Sequence, residues 1–143
     1  MNQLPCVNFH FKVDWGGTRI GFTEVSGLDF ETNPIEYREG SDPIYHPRKI
    51  PGLQKFSNII LKRGILNGDN EFFDWYRTIQ LNTVERRDVT ISLLNEQHEP
   101  KVIWKLRSAW PVRLESPLLN STNCEVAIET LEIAHEGITI EHV

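Results

Sequence analysis

The stretch "VNFHFKVDW", residues 7–15, alternates without a fault. Val7, Phe9, Phe11, Val13 and Trp15 fall on one side; Asn8, His10, Lys12 and Asp14 fall on the other. A period of two over nine residues is a β-strand with one buried face, because successive side chains in a strand point to opposite sides. Gly16-Gly17 follows directly, a dipeptide suited to two-residue hairpin turns. It predicts a return strand in "RIGFTEV" (19–25), with Ile20 and Phe22 facing the core.

Working outward, the same period recurs. Ser26-Gly27 marks a turn, and "LDFETNPIEYR" (28–38) resumes with Leu28 and Phe30, then Ile35 and Tyr37. Pro34 supplies no ladder donor, so an edge, a bulge or a break is expected there. "KFSNIILKR" (55–63) is apolar around Ile59, Ile60 and Leu61, which predicts a strand covered on both faces. "RRDVTISLL" (86–94) puts Val89, Ile91 and Leu93 opposite Thr90, Ser92 and Leu94. "KVIWKLRSAWPVRL" (101–114) carries Val102, Trp104 and Leu106, then Trp110, Val112 and Leu114, with a break near Ser108-Ala109. "ESPLLNSTN" (115–123) reads as a loop, and two final strands meet at Gly137.

One segment changes period. After the turn Asn67–Asn70, the residues Phe72, Trp75, Tyr76 and Ile79 recur at helical spacing. They predict a helix over about 69–82, capped by Asp69 or Asn70. These four are the expected core anchors, each contributing roughly 1.5–3 kcal/mol on burial. The fold class is therefore mainly β, a sandwich or barrel-like fold with one flanking helix, in one domain over residues 1–143. Such folds leave sheet edges that must be covered, blunted or paired with another subunit.

The stretch "EGSDPIYHPRKIPGL" (39–53) has no period and holds three of the eight prolines. A loop over about 39–54 is expected. Loops of that length are usually functional or disordered. Its prolines stiffen it and lower the entropy lost on docking. Arg38, Glu39, Asp42, Arg48 and Lys49 give it charges of both signs, and Ile44, Tyr45, Ile50 and Leu53 give it apolar anchors. That composition fits an intersubunit arm.

Composition narrows the chemistry. The net charge of −5, with both signs interspersed, argues against general nucleic-acid binding, which needs clustered Lys and Arg. No apolar run is long enough for a membrane-spanning helix. The first residues lack the basic and apolar regions of a secretory signal. Cys6 and Cys124 are expected as buried or half-buried thiols, and no CxxC provides a zinc site. His10, His46, His98, His135 and His142 are isolated, with His98 and His135 expected to be solvated. There is no GxSxG, and Gly16-Gly17 is not followed by the Lys of a phosphate loop. Glu36 with Glu39 and Glu71 with Asp74 fit solvated faces or the charge preference of a helix N-terminus. The four tryptophans lie on apolar faces, where core packing outweighs a sugar- or base-stacking role. No catalytic residue, metal or cofactor is expected.

Six stretches together resemble the tail tube proteins of contractile-tail phages and extracellular contractile injection systems. They are GFTEVSGLD (21–29), IEYREGSDP (35–43), RKIPGLQKFSNIILKRG (48–64), EFFDWY (71–76), VERRDVTISLLNE (84–96) and VAIETLEIAHEGI (126–138). The resemblance implies a structural protein, not an enzyme. It would assemble as stacked hexameric rings with a hollow lumen inside a contractile sheath. Baseplate or tube-initiating proteins and a tail terminator would be its other partners, and DNA or effector cargo would pass without sequence-specific binding. The implied route starts in the bacterial or archaeal cytoplasm and ends in a virion tail or phage-like particle. Thr90 and Ser92 are candidates for a hydrated lumen face. A tube-initiating baseplate role stays open. Rivals from other classes are a small carbohydrate-binding module using Trp15, Trp104 or Trp110, and an enzyme with a dispersed active site.

Overall fold

A sixteen-residue strand, Pro100–Glu115, organises the molecule. The computed structural model describes residues 4–17, 21–81, 83–122 and 124–143. Within them the elements are β1 (Phe11–Asp14), β2 (Glu24–Ser26), β3 (Phe30–Tyr37), β4 (Arg48–Phe56), β5 (Ile59–Gly64), α1 (Glu71–Tyr76), β6 (Arg87–Leu94), β7 (Pro100–Glu115), β8 (Ile128–Ala134) and β9 (Gly137–His142). The first half of β7, Val102–Arg107, lies between β6 and β9. Its second half, Trp110–Glu115, pairs with β8. The full path is β1-β6-β7-β8-β5-β2, with β9 also on β7. The end strands β1 and β2 do not pair with each other, so the sheet is not closed.

The break expected near Ser108-Ala109 is where β7 turns from one layer into the other. Ser108 sits at φ 53 and its N–H donates to the Asp88 carboxylate at 3.1 Å. The extra residue shifts the buried side from Leu106 to Ala109 and Pro111. Both halves therefore keep an inward face across the bend, as bulges allow. Val13, Val89, Ile91 and Leu106 from one half meet Ile59, Leu61, Leu131 and Ile133 from the other in a single core cluster.

Several expectations are corrected by this topology. The strand beginning the chain is shorter than its alternation: Val13 and Trp15 are buried, but Phe9 is 67% exposed. Gly16-Gly17 does not close a hairpin, since β1 pairs with β6 and β2 pairs with β5. Both pairings are long-range, which a local dipeptide cannot specify. Of the expected return strand, Arg19 and Ile20 lie outside the described residues; Phe22 packs at the core edge. β5 is covered on one face only, with Ile59, Leu61 and Arg63 buried and Ile60 and Lys62 half-buried. Gly27 is needed where β2 leaves its pair: φ is +90 and an added Cβ would strike the Asn58 carbonyl.

The helix is one and a half turns, not four. Asp69, not Asn70, accepts the Glu71 N–H at 3.2 Å. The Thr78 N–H and hydroxyl both bond the Trp75 carbonyl, at 3.1 and 2.7 Å, tightening the last turn. Leu81, at φ 53, then reverses the chain between Gln80 and Thr83, which exchange backbone bonds of 2.8 and 2.9 Å. Phe72 and Trp75 are buried; Ile79 is half-buried beyond the helix, and Tyr76 is 37% exposed. Trp15 and Phe72 pack edge to face with ring centroids 5.0 Å apart, anchoring the helix to β1.

Candidate assembly interface

The segment expected as loop is half strand. β3 and β4 form a separate two-stranded ribbon, with pairs running from Phe30↔Phe56 to Tyr37↔Arg48. Pro34 and Pro51 sit opposite each other. Neither can donate, and a ribbon tolerates them at a position where backbone N–H groups point to solvent. The register slips between Thr32 and Pro34, leaving Gly52 and Leu53 opposite Asn33. A Cβ on Gly52 would lie 2.5 Å from the Asn33 carbonyl oxygen. Gly52→Ala is accordingly expected to loosen the ribbon while the core melts as before. Hydrogen exchange should show faster amide exchange at Ile35 and Ile50; unchanged protection there would refute the close approach.

Opposite residues share a face of an antiparallel ribbon. One face therefore carries Ile35 with Ile50 and Tyr37 with Arg48; the other carries Glu36 with Lys49. Almost every residue of the ribbon is exposed. Leu53 is 84% exposed and Tyr45, at the tip, 97%. The base is fastened to the body, where Phe56 meets the His135 ring at 5.6 Å and the His135 Nε2 lies 3.0 Å from the Ser57 carbonyl. His135 is thus half-buried and hydrogen-bonded, contrary to the solvated position expected for it.

The tip is built by its own charges. Arg38 donates to the carbonyls of Ile44 (2.9 Å) and Asp42 (3.2 Å). The Tyr37 hydroxyl donates to Glu39 at 3.0 Å, and the Asp42 carboxylate takes the Ile44 N–H at 3.1 Å and faces Arg48 at 3.7 Å. The structure thereby divides the nine candidate contact residues. Arg38, Glu39, Asp42 and Arg48 hold the tip in shape. Ile44, Tyr45, Lys49, Ile50 and Leu53 are left facing solvent.

Beside α1 lies a residue that sequence reading overlooked. Arg63 on β5 is 3% exposed. Its guanidinium meets Glu129 at 2.8 Å, Asp69 at 3.1 Å and Glu71 at 3.9 Å, and lies 3.8 Å from the Phe72 ring centroid. Glu71 therefore points inward to this ion cluster, not to a solvated face. The alternation of β5 was the available signal: Arg63 follows Ile59 and Leu61 on the buried side.

Other candidates settle into the fabric. Trp15 and Trp75 are fully buried and Trp104 packs against the core, so none of these three offers an open stacking platform. Ser92 is 3% exposed, which removes it from an exposed lumen face, and Thr90 is half-buried. Cys6 and Cys124 are exposed free thiols, not the buried ones expected. Among the described residues no group of three His, Cys, Asp or Glu could hold a metal, and no helix is long and apolar enough to cross a membrane.

The fold is an open antiparallel sandwich with a projecting two-stranded ribbon. Residues 7–139 match the T4-like virus tail tube protein gp19 family, and the chain belongs to that family, whose members are structural tail tube proteins, not enzymes. It is 36% identical to a chain in the extended sheath-tube complex of the extracellular contractile injection system PVC. That alignment covers 97% of this chain and 93% of the other, with a TM-score of 0.89. A chain in the tube-terminating cap of the anti-feeding prophage is 35% identical over 100% of this chain and 95% of its own, TM-score 0.92. One in the six-fold symmetrised baseplate of that particle is 24% identical, covering 99% and 98%, TM-score 0.84, and shares the fold alone. A search of curated protein sequences found no match. The chain is a tail tube or tube-related component of a contractile injection system or phage particle.

Proposed function

We propose that this chain is the repeating subunit of the inner tube, assembling as hexameric rings that stack around a lumen for DNA or effector cargo. A contractile sheath, a baseplate initiator and a terminator are its partners. The ribbon β3–β4 is the intersubunit arm. The observation that carries this reading is an arm with an uncovered apolar face on a chain of the tail tube family. Its internally bonded tip lowers the entropy lost when it docks. A second reading, a tube-initiating protein at the baseplate, is disfavoured because the baseplate chain shares only the fold.

The test replaces residues 41–50 with a short Gly/Ser linker. The monomer is expected to keep its circular dichroism and melt, and to lose tubes in negative-stain images. Normal tubes from this variant would sink the reading. Charge reversal is better placed at Lys49 than at Arg48, because Arg48 also braces Asp42. Lys49→Glu should weaken assembly most at low salt, where exposed charges are least screened; salt-independent assembly equal to wild type would count against a contact there.

A further inference from the structure

Charge is divided unevenly along this chain. From Leu114 to Val143 there are six glutamates, at 115, 125, 129, 132, 136 and 141, and no lysine or arginine. Five of the six face partners within the chain: Glu115 meets Arg113, Glu129 meets Arg63, Glu132 meets Asn58, Glu136 meets Arg86 and Glu141 meets Lys105. The loop 116–127 between β7 and β8 has no cation of its own. Its described residues expose apolar side chains: Leu118 is 86% exposed, Leu119 87% and Val126 77%. Together with Pro117, these residues line an open cavity of about 790 Å³ in which Glu125 is the one charged lining residue.

The complementary charge lies on the β4 side of the arm alone. From Pro43 to Phe56 that side carries Arg48, Lys49 and Lys55 and no carboxylate, with Ile44, Tyr45, Ile50 and Leu53 exposed among them; Glu36 and Glu31 of β3 stand opposite Lys49 and Lys55. We infer that the 116–127 loop is the seat for the arm of a second copy of this chain, with arm apolar residues entering the Leu118/Leu119/Val126 cavity and Lys49 or Lys55 meeting Glu125. The inference rests on the arm reading and names the surface that receives it. Apolar burial supplies the attraction, and the opposite charges set register and exclude mismatched placements. Arm and seat are different patches of one chain, so the contact is heterologous: every copy gives an arm and receives one, and association propagates.

Native Cys124, exposed beside Glu125, makes the test direct. Leu53→Cys is placed in a Cys6→Ser background, assembled, and oxidised with diamide. A disulfide forms only where Cα atoms come within about 7 Å. The expected result is a ladder of covalent oligomers on a non-reducing gel that disappears with Cys124→Ser. Tubes seen by electron microscopy without a ladder overturn the seat, while loss of tubes in the linker variant would still uphold the arm. If the cysteine variant fails to assemble, the charge pair decides. Glu125→Lys should reduce tube yield at least tenfold, and adding Lys49→Glu or Lys55→Glu to the same chain should restore it. Normal tubes from Glu125→Lys overturn the inference, including the case in which those tubes fail only to recruit a sheath, which would assign the loop to that partner.

Discussion

Trp75→Ala should lower stability by about 3–5 kcal/mol, the usual cost of truncating a buried aromatic. The indole is fully buried against Trp15, with ring centroids 5.8 Å apart, and its Nε1–H donates to the Glu85 carbonyl at 2.8 Å. Truncation empties the site beneath α1 and removes the indole donor from the Glu85 carbonyl. At about 3 °C per kcal/mol for a domain of this size, the melting temperature should fall by about 10–15 °C. Tyr76→Ala is the control. That ring is 37% exposed, and its loss should cost far less. Equal melts for Trp75→Ala and wild type would mean that the helix is not anchored as described.

Arg63→Met is the second large effect. The substitution keeps a long apolar stem over Phe72 and removes the charge on which Glu129, Asp69 and Glu71 converge. Breaking a buried ion pair from one side costs about 3–5 kcal/mol, because the remaining charge stays desolvated. The segment most affected should be 65–76, which Arg63 ties to β8. Adding Glu129→Leu removes the nearest opposing carboxylate and should recover part of the loss. A denaturant midpoint for the double variant at or below that of Arg63→Met would show that the charges are not coupled through this contact.

The sequence-level reading succeeded where the signal is local and the face is buried. The alternation at Val13 and Trp15, at Val89 and Ile91, and at Leu106 marks strands with an inward side, and these residues form the core. Helical spacing located α1, although the length expected from Phe72 to Ile79 overran it. A hydrophobic stripe continues through a tight turn as readily as through a helix. The reversal at Leu81 depends on a positive φ that leucine does not advertise.

The β3–β4 ribbon was legible in composition as a segment apart and illegible in conformation. Prolines 43, 47 and 51 and the uncovered residues around them correctly set the segment apart. β4 escaped because a ribbon exposed on both faces imposes no hydrophobic period, and because the bulge at Gly52-Leu53 breaks what alternation there is.

By itself the sequence determined the class, the core-facing residues of most strands, the position of the helix, and the segment standing apart from the sandwich. These follow from side-chain period, turn chemistry and composition, which act over a few residues. Only the tertiary structure decided that β1 lies on β6 and β2 on β5, that β7 serves both layers, and that Arg63 gathers three carboxylates from two distant segments. Those choices join residues far apart in the chain. They are fixed by which faces can be buried together and which buried charges can be neutralised, conditions that exist only once the chain has closed on itself.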